Sequence, residues 1–157
     1  MDNAFLTACR AKALEAHNNY RARHGVPSLA AAASLDASAQ QWAEQLALTG
    51  QLRHSGTPDA GENLYFRGGS QPSADELATE AVGTWYDEIH SYDFSNGGYS
   101  PNTGHFTQVV WRSCNELGVG VASGTIGGMN CFFVVCQYNP PGNYMGQFEY
   151  NVLPPNY

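Results

Sequence analysis

Positive charge is scarce in this sequence. Lysine and arginine together number 7 in 157 residues, against 14 aspartates and glutamates, for a formal charge of −7. Nucleic-acid recognition needs clustered cations to neutralise phosphates, so no nucleic-acid partner is expected, and anionic membrane surfaces are disfavoured on the same grounds. Charge of either sign is low, at 13%, while apolar residues make up 43%. That balance belongs to a chain that buries a core rather than to a solvated polyelectrolyte. Long apolar runs are also missing. Nothing approaches the ~20 residues that span a bilayer, so no transmembrane segment is expected. The opening Met1-Asp2-Asn3-Ala4-Phe5 lacks the basic and apolar regions of a secretory leader, and Asp2 stands where N-myristoylation needs glycine. The expectation is an intracellular chain or one whose leader has been removed. No Cys-x-x-Cys spacing occurs, which argues against a cysteine zinc site, and no Gly-x-Ser-x-Gly nucleophile motif is present.

Cysteine is sparse but informative. Cys9, Cys114, Cys131 and Cys136 allow three complete pairings. Cys131 and Cys136 lie five apart in a strand-like run, hence on opposite faces, and are not expected to bond to each other. Cys114 with either of them fits an oxidising compartment, and four reduced, buried thiols are the alternative. Aromatics reach 12%, with nine tyrosines, whose apolar bodies and polar tips suit half-wet grooves as well as core edges.

The pattern along the chain is that of one domain over residues 1–157. Leu6 to His24 reads as a helix stopped by Gly25 and Pro27. A second helix starts near Ser34, with Leu35, Ala39, Trp42, Leu46 and Thr49 on one stripe and Gly50 as its stop. Glu62 to Phe66 is a short strand between loops at Gly56–Gly61 and Gly68–Pro72. Ser73 and Glu76 form a capping-box pattern that opens a third helix, its stripe Leu77, Ala81, Trp85 and Ile89 with Glu88 beside it. A Gly-, Ser- and Asn-rich loop from Tyr92 to Gly104 carries Tyr92, Phe94 and Tyr99. For Gly104 to Trp111 the composition argues strand, whereas Thr103 as N-cap argues short helix. Leu117–Ala122 and Cys131–Tyr138 predict an antiparallel hairpin turning at Gly124–Gly128, and the tail from Pro140 is largely irregular.

Of five histidines, His17, His24 and His90 sit on helices, where an isolated histidine is usually a satisfied group. His54 and His105 are different: each lies within two residues of a glycine at an element end, and each has a glutamate in a nearby segment, Glu62 and Glu88. Two imidazoles and two carboxylates form a standard ligand set for a zinc-like ion with an open water position, and the same set serves acid–base chemistry if its pKa values are split. The pairs are far apart in sequence, so spacing alone equally fits four unrelated side chains.

Five ordered motifs add weight. His17-Asn18-Asn19-Tyr20-Arg21, Gly61-Glu62-Asn63-Leu64-Tyr65, Trp85-Tyr86-Asp87-Glu88-Ile89, Gly104-His105-Phe106-Thr107-Gln108-Val109-Val110-Trp111 and Cys136-Gln137-Tyr138-Asn139-Pro140-Pro141-Gly142-Asn143 together resemble the CAP superfamily of cysteine-rich secretory proteins, antigen 5 and plant pathogenesis-related class 1 proteins. Gly118-Val119-Gly120-Val121 and the ending Phe148 to Pro155 look most like its Golgi-associated plant pathogenesis-related branch. The resemblance implies an α+β fold, a three-layer α–β–α sandwich with a central antiparallel sheet, and makes the Gly104 segment a short helix. It also implies that His54 and His105 hold a divalent metal, zinc first and magnesium or calcium as alternatives, with Glu62 and Glu88 orienting its water or accepting hydrogen bonds from the groups around the ion, and Gln108 facing the same cleft. The implied function is binding of a sterol through the loop carrying Tyr92, Phe94 and Tyr99, or of a fatty acid in a groove between helices. The alternatives are a metal-dependent hydrolase with Glu62 or Glu88 as general base, and a secreted recognition or defence protein. A weak homodimer is compatible with the resemblance. Extracellular residence is the primary expectation and a cytoplasmic or Golgi-associated one the alternative.

Overall fold

The computed structural model describes residues 1–156. Helix α1 (Asn3–Arg23) begins where the Asp2 carboxylate accepts the Phe5 amide at 2.8 Å, which satisfies one of the orphan donors of the first turn. It ends at His24, followed by Gly25 at φ +66°. A two-residue strand β1 (Ala30–Ala31) leads into α2 (Ala33–Thr49), which stops on left-handed Gly50. Strand β2 (Gly61–Gly68) precedes α3 (Ala74–Tyr86), whose first turn is capped by Ser73 accepting from the Glu76 amide at 3.1 Å. The predicted stripe is buried at Leu77, Ala81 and Trp85. It does not continue as an α-helix to Ile89. The chain tightens into a 3₁₀ turn at Asp87–Ser91, and that turn carries Glu88.

The Gly104 segment, undecided between strand and helix on composition, is the short helix α4 (Gly104–Val109). Strands β3 (Glu116–Ile126) and β4 (Met129–Asn139) form the predicted hairpin. Its turn is the pair Gly127-Gly128, both at positive φ, where a side chain would be strained; two such residues match the twist of the flanking strands. A single turn, α5 (Phe148–Asn151), interrupts the tail.

The strands run in the order β1-β3-β4-β2. β3 is antiparallel to β4, and β4 to β2, but β1 is parallel to β3, so the sheet is mixed rather than wholly antiparallel. The reason lies at the β3 edge. β1 pairs only with Glu116 and Leu117 before the chain turns into α2, and side chains replace the missing strand. Asp36 accepts the Val119 amide at 2.8 Å, Gln40 both accepts from and donates to Val121 at 2.9 Å, and Arg10 donates to the Val119 carbonyl at 2.7 Å. Edge groups are thereby satisfied and shielded from a foreign strand.

β4 is buried on both faces, which is why it reads as a continuous apolar run. Phe132, Val134, Cys136 and Tyr138 point into the larger core beneath α1 and α3, whereas Cys131, Phe133 and Val135 point toward α2. On β3 the α2-facing positions are Gly118, Gly120, Ala122 and Gly124, and a Cβ at the glycines would collide with the backbone at Leu35, Ala39 and Ala47. Three glycines thus let a helix backbone rest on the sheet. The three-layer sandwich follows from this alternation.

All four cysteines are buried and free, so the pairing of Cys114 with Cys131 or Cys136 is not formed. Cys131 and Cys136 do lie on opposite faces. Burial pushes the Cys9 thiol up to about 12 and the Cys114 thiol up to about 11, which leaves them protonated and inert. Among the described residues no helix is long and apolar enough to cross a membrane.

Candidate functional site

Glu62 and Glu88 each hold one histidine in the same way. Glu88, on the 3₁₀ turn, caps α4: its Oε1 accepts the amides of His105 at 2.9 Å and Phe106 at 3.0 Å. Its Oε2 accepts Nδ1 of His105 at 2.8 Å. Thr103, the expected side-chain cap, makes no capping bond, because the carboxylate occupies the exposed amides and complements the positive end of the helix. Glu62, on β2, accepts Nδ1 of His54 at 2.9 Å and the Ser55 amide at 2.9 Å on Oε1. Its Oε2 accepts the Ser55 hydroxyl at 2.7 Å and the Gln137 amide at 2.9 Å.

A carboxylate can only accept, so each histidine in its neutral form carries its proton on Nδ1, and Nε2 is left with its lone pair. This is the carboxylate–histidine arrangement that orients metal-binding imidazoles. Glu62 is pushed up by burial but held below the usual carboxylate range by the donors from His54, Ser55 and Gln137. His54 is raised, chiefly by its bond to Glu62, with burial opposing and the glutamate charge assisting.

His54 and His105 both line a cleft of about 170 Å³, with Glu62, Asn63, Tyr99 and Asn143 among its other walls. Behind His105 the Trp85 ring lies nearly parallel, 6.3 Å between centroids, pinned by its own bond to the Leu64 carbonyl at 2.9 Å. Asn63 donates to the His105 carbonyl at 3.1 Å and to the Tyr138 hydroxyl at 3.2 Å. Asn143 donates to the Gly104 carbonyl at 2.9 Å and accepts from Thr107 at 2.6 Å. Among the described residues no three or more His, Cys, Asp or Glu side chains gather closely enough to hold an ion by themselves. The donor set fits an ion held by two imidazole nitrogens with water completing its shell, and the carboxylates fit as the hydrogen-bond partners of those imidazoles.

Gln108 does not line the cleft. It is buried behind α4, accepting the Gly142 amide at 3.2 Å and donating to Cys114 Sγ at 3.3 Å, and it clamps the Pro140–Asn143 loop against the helix. The aromatic loop divides. Tyr92 and Phe94 pack on each other at 4.9 Å and on Phe106 at 5.5 and 6.2 Å, whereas Tyr99 is 54% exposed at the cleft. Between that loop and the tail runs a groove of about 410 Å³ lined by Tyr92, Phe94, Asn96, Glu149, Val152 and Pro154. The sequence reading missed Ser55, Asn63, Gln137, Asn143 and the tail wall of this groove. Ser55 adjoins His54 and was open to notice, whereas Asn63, Gln137 and Asn143 stand within the family motifs, where nothing in residue order gives them a role.

The remaining histidines are satisfied or exposed. His17 Nδ1 donates to the Ala13 carbonyl at 2.8 Å while Nε2 accepts from Tyr138 at 2.7 Å. His24 is bonded to the Leu153 carbonyl and to Tyr86, and His90 is exposed.

Comparison with known proteins gives the family and the fold. Residues 14–138 match the CAP model of the cysteine-rich secretory protein family. The human Golgi-associated plant pathogenesis-related protein 1 is 44% identical, covering 90% of each chain. Protein PRY2 of Saccharomyces cerevisiae is 42% identical over 88% of this chain, which spans only 39% of that protein. Among solved structures, one titled "Crystal structure of NaASP2 with Zn2+" superposes with a TM-score of 0.71 over 95% of this chain and 86% of its own, at 23% identity, a likeness of fold. The order of helices and strands, the paired histidine–glutamate cleft and these matches together place the chain in the CAP family of cysteine-rich secretory proteins.

Proposed function

We propose that the protein is a lipid-binding CAP module, with a sterol as ligand in the groove between the 92–99 loop and the tail and a zinc-class ion in the histidine cleft. The observation that carries the reading is the separation of two sites by size. The cleft, at about 170 Å³, is smaller than the ~300–1,000 Å³ of organic-ligand pockets, while the groove, at about 410 Å³, falls within that range. Tyr92 and Phe94 on one side and Val152 and Pro154 on the other supply its apolar contacts, while Ser95, Asn96 and Glu149 make the lining more polar than apolar, which suits the hydroxyl end of a sterol better than its ring system. Covering two such rings contributes about 3 kcal/mol, so the remaining contacts must come from the tail. The hollow between α1 and α3, about 220 Å³ and lined by Lys12, Glu15, Ala16, Tyr20 and Arg23, falls below that range and is the weaker fit, for a fatty acid.

His54 and His105 would hold the ion through Nε2. Two imidazole donors favour zinc over magnesium or calcium, which prefer oxygen. A bound ion of this class supplies a polarised water. Hydrolysis is the weaker reading, because both carboxylates are committed as acceptors to imidazole and amide donors. A general base works best with a pKa near the working pH, and Glu62 is held the other way. Extracellular residence accords with the secretory members of the family, although four buried free thiols need no oxidising compartment.

Sterol binding to Asn96→Trp tests the groove. Asn96 is exposed and lines it, so the ring fills it without disturbing the core. Affinity should fall by at least ~10-fold, the loss of one buried ring's worth of contact, with melting unchanged. Tyr99→Ser, at the cleft, should leave it intact. Unaltered binding by Asn96→Trp sinks the groove as the sterol site.

A further inference from the structure

The two cleft histidines are held to different depths of the fold. His105 belongs to α4, and Glu88 fixes both its ring and its backbone amide. His54 lies between α2 and β2 in a segment without helix or strand, with its side chain 65% exposed. Its neighbour Arg53 is tethered by the Trp42 indole, which donates to the Arg53 carbonyl at 2.8 Å. The ring itself is oriented by Glu62 alone among the bonds described. The direction of the Glu62 carboxylate therefore decides where His54 Nε2 points.

Two side chains set that direction. Ser55 donates to Oε2 and is braced by Thr57, but both travel with the same loop as His54 and give no fixed reference. Gln137 is the direct cross-strand partner of Glu62 on β4, which is paired on both sides and buried on both faces. It is fully buried; its Nε2 donates to Glu62 at 2.9 Å, and its Oε1 has no protein partner among the described residues. The amide cannot be reversed, because the carboxylate needs a donor. A fully buried amide held by one bond, and that bond on Glu62, marks its role.

We infer that Gln137 is a positioning residue: it ties the Glu62 carboxylate to the centre of the sheet and through it fixes the tautomer and direction of His54, tuning ion affinity without touching the ion. The affinity part rests on the ion-binding reading above; the tautomer part does not. Gln137→Met removes the donor at similar volume. Long-range ¹H–¹⁵N correlation spectra of the metal-free protein should show His54 passing from a single Nδ1–H tautomer to a mixture, with His105 unchanged. Zinc affinity by calorimetry should fall ~10- to 100-fold, as for other outer-shell partners of metal-binding histidines. Gln137→Asn, which keeps an amide but withdraws it by one methylene, is read in the same way should the methionine variant not fold. A purely structural role would lower melting and leave the tautomer alone. If His54 keeps one tautomer in the folded variant, the inference is overturned. If the wild-type protein takes up no zinc, the ion reading fails while the tautomer comparison still decides the role of Gln137.

Discussion

His17 shows how a buried ring becomes a pH-dependent term in stability. Burial pushes it from 6.5 down to about 4, against the opposing help of its bond to the Ala13 carbonyl, with Arg21 adding a small like-charge push. Because the folded value lies below the unfolded one, the unfolded chain binds more protons between the two. The contribution is fully present above pH 6.5 and is lost as pH falls toward 4. Its full size is about 3 kcal/mol. His24, also lowered by burial, acts with the same sign, as does Glu62, whose depressed pKa makes its contribution fade on acidification. His54, raised by Glu62, runs the other way, and its contribution is lost as pH rises through its folded value. Urea midpoints should therefore fall steeply from pH 6.5 to 4, and a His17→Gln variant should show a flatter profile over that window. An equal slope in the variant would refute the assignment. Arg21 illustrates the opposite solution: its guanidinium is fully buried yet donates to the carbonyls of Pro27, Val109, Trp111 and Cys114, so it stays charged although burial lowers it to about 10.

At the scale of elements, the contact between α2 and β3 depends on what is missing from the strand. Gly118, Gly120 and Gly124 let the helix backbone approach to where a methyl group would stand. Gly120→Val should push α2 off the sheet and break the Gln40 bonds to Val121. The expected loss is ~2–3 kcal/mol or more, since overpacking here meets backbone rather than a movable side chain. Denaturant midpoints would measure it, and a cost below 1 kcal/mol would mean that α2 can slide. The α3 stripe and the hairpin were legible because their periods, 3.6 and 2, are written in residue order. The α2 stripe was legible in part, since Ala39 and Leu46 are buried but Thr49 is exposed and Ala43, left off it, is buried. The end of α3 was not: the apolar period runs on through Ile89, but the bond between Glu88 and α4 draws the chain into a tighter turn, and that partner lies 17 residues away. β1 was invisible for a related reason, since two alanines carry no strand signal and pair only because Glu116 and Leu117 are beside them.

For the whole molecule, the proposed ion, held by two segments that are separate in sequence, would bind the folded state and not the unfolded one. Zinc at 100 times its dissociation constant should stabilise the protein by about 2.7 kcal/mol. A thermal melt would register this as an upward shift that His54→Ala abolishes. A shift of the same size in His54→Ala would place the ion elsewhere.

The sequence by itself determined the periodic elements and, through five ordered motifs, the family and the two histidine–glutamate pairs as candidates, because these are matters of residue type and order. Only the tertiary structure decided what those residues do to one another. It chose among the roles open to Glu62 and Glu88, making them acceptors that orient histidines, turned Gln108 away from the cleft toward Gly142, and folded Tyr92 and Phe94 onto Phe106 while leaving Tyr99 at the cleft. It also introduced Gln137, an amide that residue order leaves among apolar neighbours and that strand register brings opposite Glu62. The physical reason is common to all of these. A hydrogen bond requires a donor and an acceptor within about 3 Å, and such distances between remote segments exist only once the sheet has set its register.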